Sequence, residues 1–159
     1  MDDIEPPVDL ATLAFLTGSA ANDALLHEIR DSGHPGLRVS HGYVFQRLLV
    51  GEPTIGELAE ALGVTQQAAS KAARELEQLG YVARRPDASD RRVTRLALTD
   101  RGAAAVAAAR RARSRLERAL AARVGGADLA AARRVLTALL IYVGGQNAVQ
   151  LRSVKPMPR

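Results

Sequence analysis

The sequence predicts a mainly α fold that carries one small β-hairpin. Three observations predict it. Helical periodicity covers residues 8–30, 40–49 and 100–143. Two short helices, 54–62 and 65–80, are separated only by Gly63-Val64. Directly after them, two strand-like runs, 81–85 and 94–98, bracket the turn-rich Pro86-Asp87-Ala88-Ser89-Asp90.

Each element has a local signature. The acidic start with Pro6-Pro7 predicts a frayed tail over 1–7. Leu10, Leu13, Ala14, Leu16, Ala21, Leu25 and Leu26 give the first helix its apolar face, and the cluster Asp31 to Gly36 ends it. A second helix fits Ser40 to Leu49, with Ser40 as N-cap and Val44, Leu48 and Leu49 on one side. Gly51-Glu52-Pro53 breaks that helix. Thr54-Ile55-Gly56-Glu57 is a capping box for the third, in which hydroxyl and carboxylate each satisfy a backbone amide of the first turn. Gly63 suits the left-handed stop, and Thr65 caps the fourth helix. In the second strand, Leu96 and Leu98 share a face. Thr99 or Asp100 caps a long alanine-rich helix to Val124. Asp128 starts a last helix to Val143, interrupted by Gly144-Gly145. Residues 146–152 are expected to resume as helix, and 153–159 to be disordered. The expected division is therefore a 1–36 tail and helix, a 37–100 central unit, a 101–152 helical extension and a 153–159 tail.

Composition excludes several function classes. With no cysteine, the chain has no disulfide, no thiolate zinc site and no thiol redox switch. His27, His34 and His41 lie in separate or loosely linked segments, so no metal site is expected, nor any cofactor. No phosphate loop or nucleophile–base spacing marks an enzyme. No apolar run reaches the length of a membrane span and the start does not resemble a signal peptide, so a cytoplasmic location is expected. Aromatics amount to Phe15, Phe45, Tyr43, Tyr81 and Tyr142, too few for the stacking platforms of single-strand or RNA binders. The net charge of +5 is uneven. Residues 1–36 hold seven acids and one base, so the basic excess lies in the remainder. That excess suits a polyanion, and equally a solvated arginine-rich surface.

The helix at 65–80 sharpens this. At about 100° per residue, Ser70, Lys71, Arg74 and Gln78 fall within about 60° of Gln67. Ala69, Ala72, Ala73, Leu76, Leu79 and Gly80 gather at the opposite pole. The polar face has donors and no acid; Glu75 and Glu77 flank it. Glutamine can read adenine, and lysine or arginine can read guanine or hold phosphate. The small apolar face lets the helix sit close to its support, which includes Ile55, Leu58, Ala59 and Leu62 of the preceding helix. This is the spacing of a helix-turn-helix, although the two helices alone fit a plain helical hairpin too. The hairpin then adds Arg84, Arg85, Arg91, Arg92 and Arg95, with Arg91 and Arg92 at its tip. A helix-turn-helix followed by such a hairpin is a winged helix, whose tip arginine can enter a narrow minor groove. Arginines would also protect the strand edge from pairing with another sheet. Arg110, Arg111, Arg113, Arg115 and Arg118 spread round the long helix and read as its solvated surface.

At this point residues 54–102 resemble the MarR family of bacterial winged-helix transcription factors. Asp90-Arg91-Arg92, then Leu98-Thr99 and Gly102, are similar to the family's D-x-R followed by L-T-x-x-G. Gly80-Tyr81-Val82 leading into Arg84-Arg85-Pro86 matches as well, and the helix order agrees more weakly over 9–143. The resemblance implies a winged helix-turn-helix flanked by N- and C-terminal dimerisation helices, about 9–30, 100–124 and 128–151. It implies a homodimer that binds double-stranded DNA at an inverted repeat, most often as a repressor. Thr65, Gln66, Gln67, Ser70, Lys71 and Arg74 then belong to the recognition helix. Arg91, Arg92 and Arg95 belong to the wing, with Asp90 orienting them. Many family members release DNA on binding a small, often phenolic, ligand. Phe15, Leu16, His41, Tyr43 and Phe45 are the candidates for such a cleft, and ordinary core packing is the competing role for all five. Peroxide sensing through cysteine and a tryptophan-containing urate site are both excluded. A winged helix used only for protein–protein contact is the alternative function.

Overall fold

The computed structural model describes residues 8–145. The expected frayed start, the helix at 146–152 and the tail at 153–159 lie outside the described residues. The described residues form six helices and one antiparallel hairpin: α1 (Leu10–Asp31), α2 (Val39–Leu48), α3 (Ile55–Leu62), α4 (Gln66–Gln78), β1 (Val82–Pro86), β2 (Thr94–Leu98), α5 (Asp100–Val124) and α6 (Gly126–Tyr142).

Side chains near each start explain most boundaries. Asp9 caps α1 by accepting the Ala11 and Thr12 amides, both at 3.0 Å, so this helix begins two residues later than its apolar pattern predicts. In α2 the expected Ser40 cap is replaced by Arg38. The reason is His41, whose Nδ1 accepts the Arg38 backbone amide at 3.3 Å and fixes the helix start there. The buried stripe of α2 is therefore His41, Val44, Phe45 and Leu48, an i, i+3, i+4, i+7 set, and Leu49 faces outward. The capping box of α3 is fully formed, with Glu57 N–H to Thr54 Oγ1 at 3.2 Å and Thr54 N–H to Glu57 Oε2 at 2.7 Å. Thr54→Ala removes one of these bonds and is expected to cost about 1 kcal/mol, read as a lower urea midpoint. An unchanged midpoint would show that the box contributes nothing here. The fourth helix ends at Gln78 rather than at Gly80, which turns the chain at φ +77°. The last helix starts two residues earlier than Asp128 predicts, at Gly126, immediately after Gly125 breaks the chain at φ +83°.

The core sits where α2, α3, α4, the hairpin and the first turns of α5 meet. Val44, Leu58, Ala69, Ala73, Leu76, Tyr81, Val82, Leu96 and Ala105 are among its buried members. Two small residues on α4, Ala69 and Ala73, let that helix lie close against α3, as its apolar pole predicts. The hairpin pairs Val82 with Leu98, Arg84 with Leu96 and Arg85 with Arg95. The amide of Leu96 reaches out of the hairpin to the Pro53 carbonyl at 2.9 Å, tying β2 to the start of α3. Tyr81 is fully buried, and its hydroxyl donates to the Pro35 carbonyl at 3.1 Å. The long helices are different. The first half of α1, the second half of α5 and all of α6 bury no residue, although Leu13, Leu16, Leu116, Leu120, Leu136 and Ile141 lie there.

Candidate nucleic-acid interface

The turn between α3 and α4 is set by Gly63, in the left-handed region at φ +66°, where the amides of residues 63 and 64 close onto Glu60 and Ala59. Thr65 then caps α4, its hydroxyl accepting the Ala68 amide at 3.2 Å. This fixes which face of α4 turns outward. Thr65, Gln66, Gln67, Lys71 and Arg74 are exposed, Ser70 is half-buried, and Ala69, Ala73 and Leu76 are buried. Five of the six expected recognition-helix residues are thus exposed on α4 or its cap, and Ser70 lies at the edge of the buried side.

The two flanking acids of α4 are engaged elsewhere. Glu75 bonds to His41 Nε2 and to the Arg38 guanidinium, each at 3.2 Å. Glu77 accepts from Arg84 Nε at 3.2 Å. The His41 bond is the main influence that holds the Glu75 carboxyl below its ordinary range. Both acids therefore face cations off the recognition face. Lys71 and Arg74 have no ion-pair partner among the described residues.

The wing tip is built from two carboxylates. Asp87 accepts from the Ser89 hydroxyl and amide and from Arg95, and these bonds hold its carboxyl far below the usual carboxylate range. Its own amide closes the tip onto the Val93 carbonyl at 2.9 Å. Asp90 grips Arg92 in a fork: Nε to Oδ1 and Nη2 to Oδ2, both at 3.0 Å, with the Arg92 amide also on Oδ1. These bonds lower the Asp90 carboxyl and raise the Arg92 guanidinium, so the pair is ionic at any working pH. Arg92 is still 90% exposed. Asp90 thus orients one side of the guanidinium and leaves the rest of it open. Arg91 is exposed beside it.

Arg95 does not belong with these two. Its Nε is bonded to Asp87, one terminal nitrogen donates to the Glu52 carbonyl at 2.9 Å, and Glu57 is 3.4 Å away. Arg95 is a brace between the wing and the head of α3. Sequence reasoning missed this brace, although the register held a signal. Arg85 and Arg95 face each other across the hairpin, a pairing of like charges that needs neutralisation. Glu52 lies 4.0 Å from Arg85, and Asp87 and Glu57 serve Arg95.

The five cleft candidates are not brought together. Phe15 and Leu16 are exposed on the first half of α1, at 75% and 52%. His41 is buried against Glu75. Tyr43 and Phe45 sit two residues apart on α2, so they point to different sides. Tyr43 borders a cavity of about 330 Å³ against α4. Phe45 packs edge-on to Tyr81 and borders a larger cavity of about 580 Å³ between α1, α2 and α5. That larger cavity is lined by Leu25, Leu26, Ile29, Val106, Arg110 and Arg113 among others. Among the described residues no cluster of His, Asp or Glu could hold a metal ion, and no helix is long and apolar enough to cross a membrane.

The sequence model of the MarR family matches residues 36–93, from the turn after α1 to the wing tip. Over that stretch the chain is similar to the MarR family, and its fold there is a winged helix. Solved structures agree on the fold over most of the chain. MarR of Escherichia coli in its reduced form superposes with a TM-score of 0.67 at 20% identity, covering 86% of this chain and 99% of that one. The YusO protein of Bacillus subtilis gives 0.63 at 22% identity, covering 85% and 97%. FabT of Streptococcus pneumoniae, solved in complex with DNA, gives 0.64 at 20% identity, covering 84% and 96%. No curated protein matches the chain. In the fold shared with these structures α3 and α4 form the helix-turn-helix and β1–β2 the wing.

Proposed function

We propose that this chain is a sequence-specific regulator of transcription that binds double-stranded DNA as a homodimer at an inverted repeat, acting as a repressor. The observation that carries the reading is the distribution of charge over the winged helix. Among the described residues, Arg38, Arg84, Arg85 and Arg95 are matched by carboxylates, while Lys71, Arg74 and Arg91 are not, and Arg92 is held but open. The unmatched cations sit on the exposed face of the recognition helix and at the wing tip, where groove and phosphate contacts are made. The FabT complex with DNA supports the same use of the fold.

In this reading α4 enters the major groove. Gln67, Lys71 and Arg74 meet base edges and phosphate, Ser70 and Gln66 add polar contacts, and Thr65 offers its end of the helix to phosphate. Arg92, aimed by Asp90, and Arg91 beside it meet the adjacent minor groove. The uncovered apolar residues of α1, α5 and α6 form the two-fold contact, which sets the spacing of the two recognition helices. A small aromatic acid fits the cavity between α1, α2 and α5, with Arg110 and Arg113 available to its carboxylate. Ligand there would act by shifting the dimer between DNA-compatible and DNA-incompatible spacings.

Selection of bound duplexes from a random pool tests the reading. An inverted repeat is expected, and Gln67→Ala should change its preferred bases more than its salt dependence. Recovery of no enriched sequence would overturn sequence-specific binding. Enrichment of the same repeat by parent and Gln67→Ala would overturn the assigned role of Gln67.

A further inference from the structure

His41 is 1% exposed, yet it belongs to no catalytic, metal or cavity-lining set. Both of its ring nitrogens are engaged, across a long stretch of sequence. Nδ1 accepts the backbone amide of Arg38 at 3.3 Å, which starts α2. Nε2 meets Glu75 on the recognition helix at 3.2 Å, 34 residues away. An amide N–H can only donate, so Nδ1 must carry no proton. A carboxylate can only accept, so Nε2 must carry one. The geometry admits a single state, the neutral Nε2–H ring.

Glu75 lies next to Arg74 in sequence and one turn beyond Lys71, so it anchors the stretch of α4 that carries the reading side chains. It also takes the Arg38 guanidinium at 3.2 Å. The strap runs from the head of α2 through one imidazole to the back of the recognition helix. The charged groups that act on His41 are Arg38 from its own helix and Glu75 from α4, with Lys71 acting on Glu75. The other elements packed there contribute apolar side chains to the core, among them Leu58 and Ala59 of α3 and Leu96 of β2.

We infer that His41 is a positioning residue for DNA recognition: its neutral ring ties the head of α2 to Glu75 on the recognition helix, so protonation frees that helix and makes duplex binding sensitive to pH. The inference rests on the DNA-binding reading. A proton on Nδ1 would set two N–H groups against each other at Arg38, so the cap is lost and the ring can no longer span both partners. The sign follows from the surroundings. Burial is the largest influence and pushes the ring below its ordinary range; the Glu75 bond opposes it and the Arg38 charge reinforces it. A neutral ring required by the fold contributes fully above the unfolded value of about 6.5, and that contribution is lost as pH falls through the lower folded value.

The test compares parent, His41→Gln and His41→Leu on the duplex recovered from the random pool. Binding is measured at constant salt from about pH 8 to about pH 4.5, which spans the ordinary histidine range and the lower range into which burial pushes His41. Glutamine can accept from Arg38 and donate to Glu75 but does not titrate. His27 and His34 are present in all three proteins, so the comparison isolates position 41. The parent is expected to lose about tenfold in affinity on acidification relative to His41→Gln, as coupling to a single proton over about one pH unit gives. His41→Gln should match the parent at the alkaline end, and His41→Leu should bind weakly throughout. Thermal melting of each protein at both pH extremes shows whether it is folded. Identical pH profiles for parent and His41→Gln would overturn the inference and leave the DNA-binding reading intact. Failure of the parent to bind any duplex at the alkaline end would overturn both. Long-range proton–nitrogen spectra of the free protein provide a readout independent of DNA: a His41 ring with its proton on Nδ1 would contradict the strap.

Discussion

Gly102→Ala is expected to be the most damaging single methyl addition, costing about 3 kcal/mol or more. A Cβ at this position would overlap the backbone carbonyl oxygen of Tyr81, and would stand 3.0 Å from Leu98 Cδ2 and 3.1 Å from the Tyr81 carbonyl carbon. A flexible side chain could move aside, but this carbonyl cannot. It accepts the Thr99 amide at 3.1 Å, while the Thr99 hydroxyl donates to the Gly80 carbonyl at 2.7 Å and accepts the Gly102 amide at 3.0 Å. These bonds fasten the start of α5 to the start of the hairpin. Relieving the overlap would break them and shift Tyr81, which is fully buried. Gly126→Ala is the control. Nothing lies within 4 Å of a Cβ there, and the substitution should be neutral or slightly stabilising. Urea midpoints of the two variants check the contrast, and equal midpoints would contradict it.

The second large effect is on binding. Arg92→Ala is expected to weaken duplex affinity on the order of ten- to a hundredfold and to leave the urea midpoint unchanged. The guanidinium is 90% exposed, and its only partner among the described residues is Asp90, so the fold does not depend on it. Arg92→Lys should recover little. An ammonium is a point donor and cannot be gripped along one edge by a carboxylate while presenting another edge to the groove. Arg95→Ala should behave in the opposite way: it leaves Asp87 without its cation and frees the wing from the Glu52 carbonyl, so stability falls first. If Arg92→Ala bound as the parent does, the wing tip would not be a DNA contact.

What is legible in the sequence is what short-range chemistry determines. The box Thr54–Glu57, the Gly63 stop and the Thr65 cap each depend on residues within a few positions, and each forms as read. The outward face of α4 is legible because Ala69, Ala73 and Leu76 leave one small apolar pole for burial. The contacts that are not legible join distant segments. His41 meets Glu75 across 34 residues, and Arg95 meets Glu57 across 38. Both involve ionisable groups whose partners no local pattern in the sequence marks. The cleft candidates lie apart for a simpler reason: shared aromatic character does not place side chains on a shared face. Positions 43 and 45 are about 200° apart on a helix, so Tyr43 and Phe45 cannot face one cavity. Phe15 and Leu16 lie on the part of α1 that the core never reaches. The arginine-rich hairpin reads in sequence as one surface, but Glu77, Glu52, Asp87 and Glu57 divide it into a paired base and an open tip.

The central claim is that the unpaired cations of α4 and the wing tip hold the phosphate backbone and grooves of a duplex. Salt dependence of duplex affinity tests it most directly, because each phosphate contact releases counterions. The parent is predicted to show a steep negative slope of log affinity against log salt. Lys71→Ala should reduce that slope by about one, as expected for loss of one phosphate contact. A flat slope for the parent, or a slope unchanged in Lys71→Ala, would contradict the account.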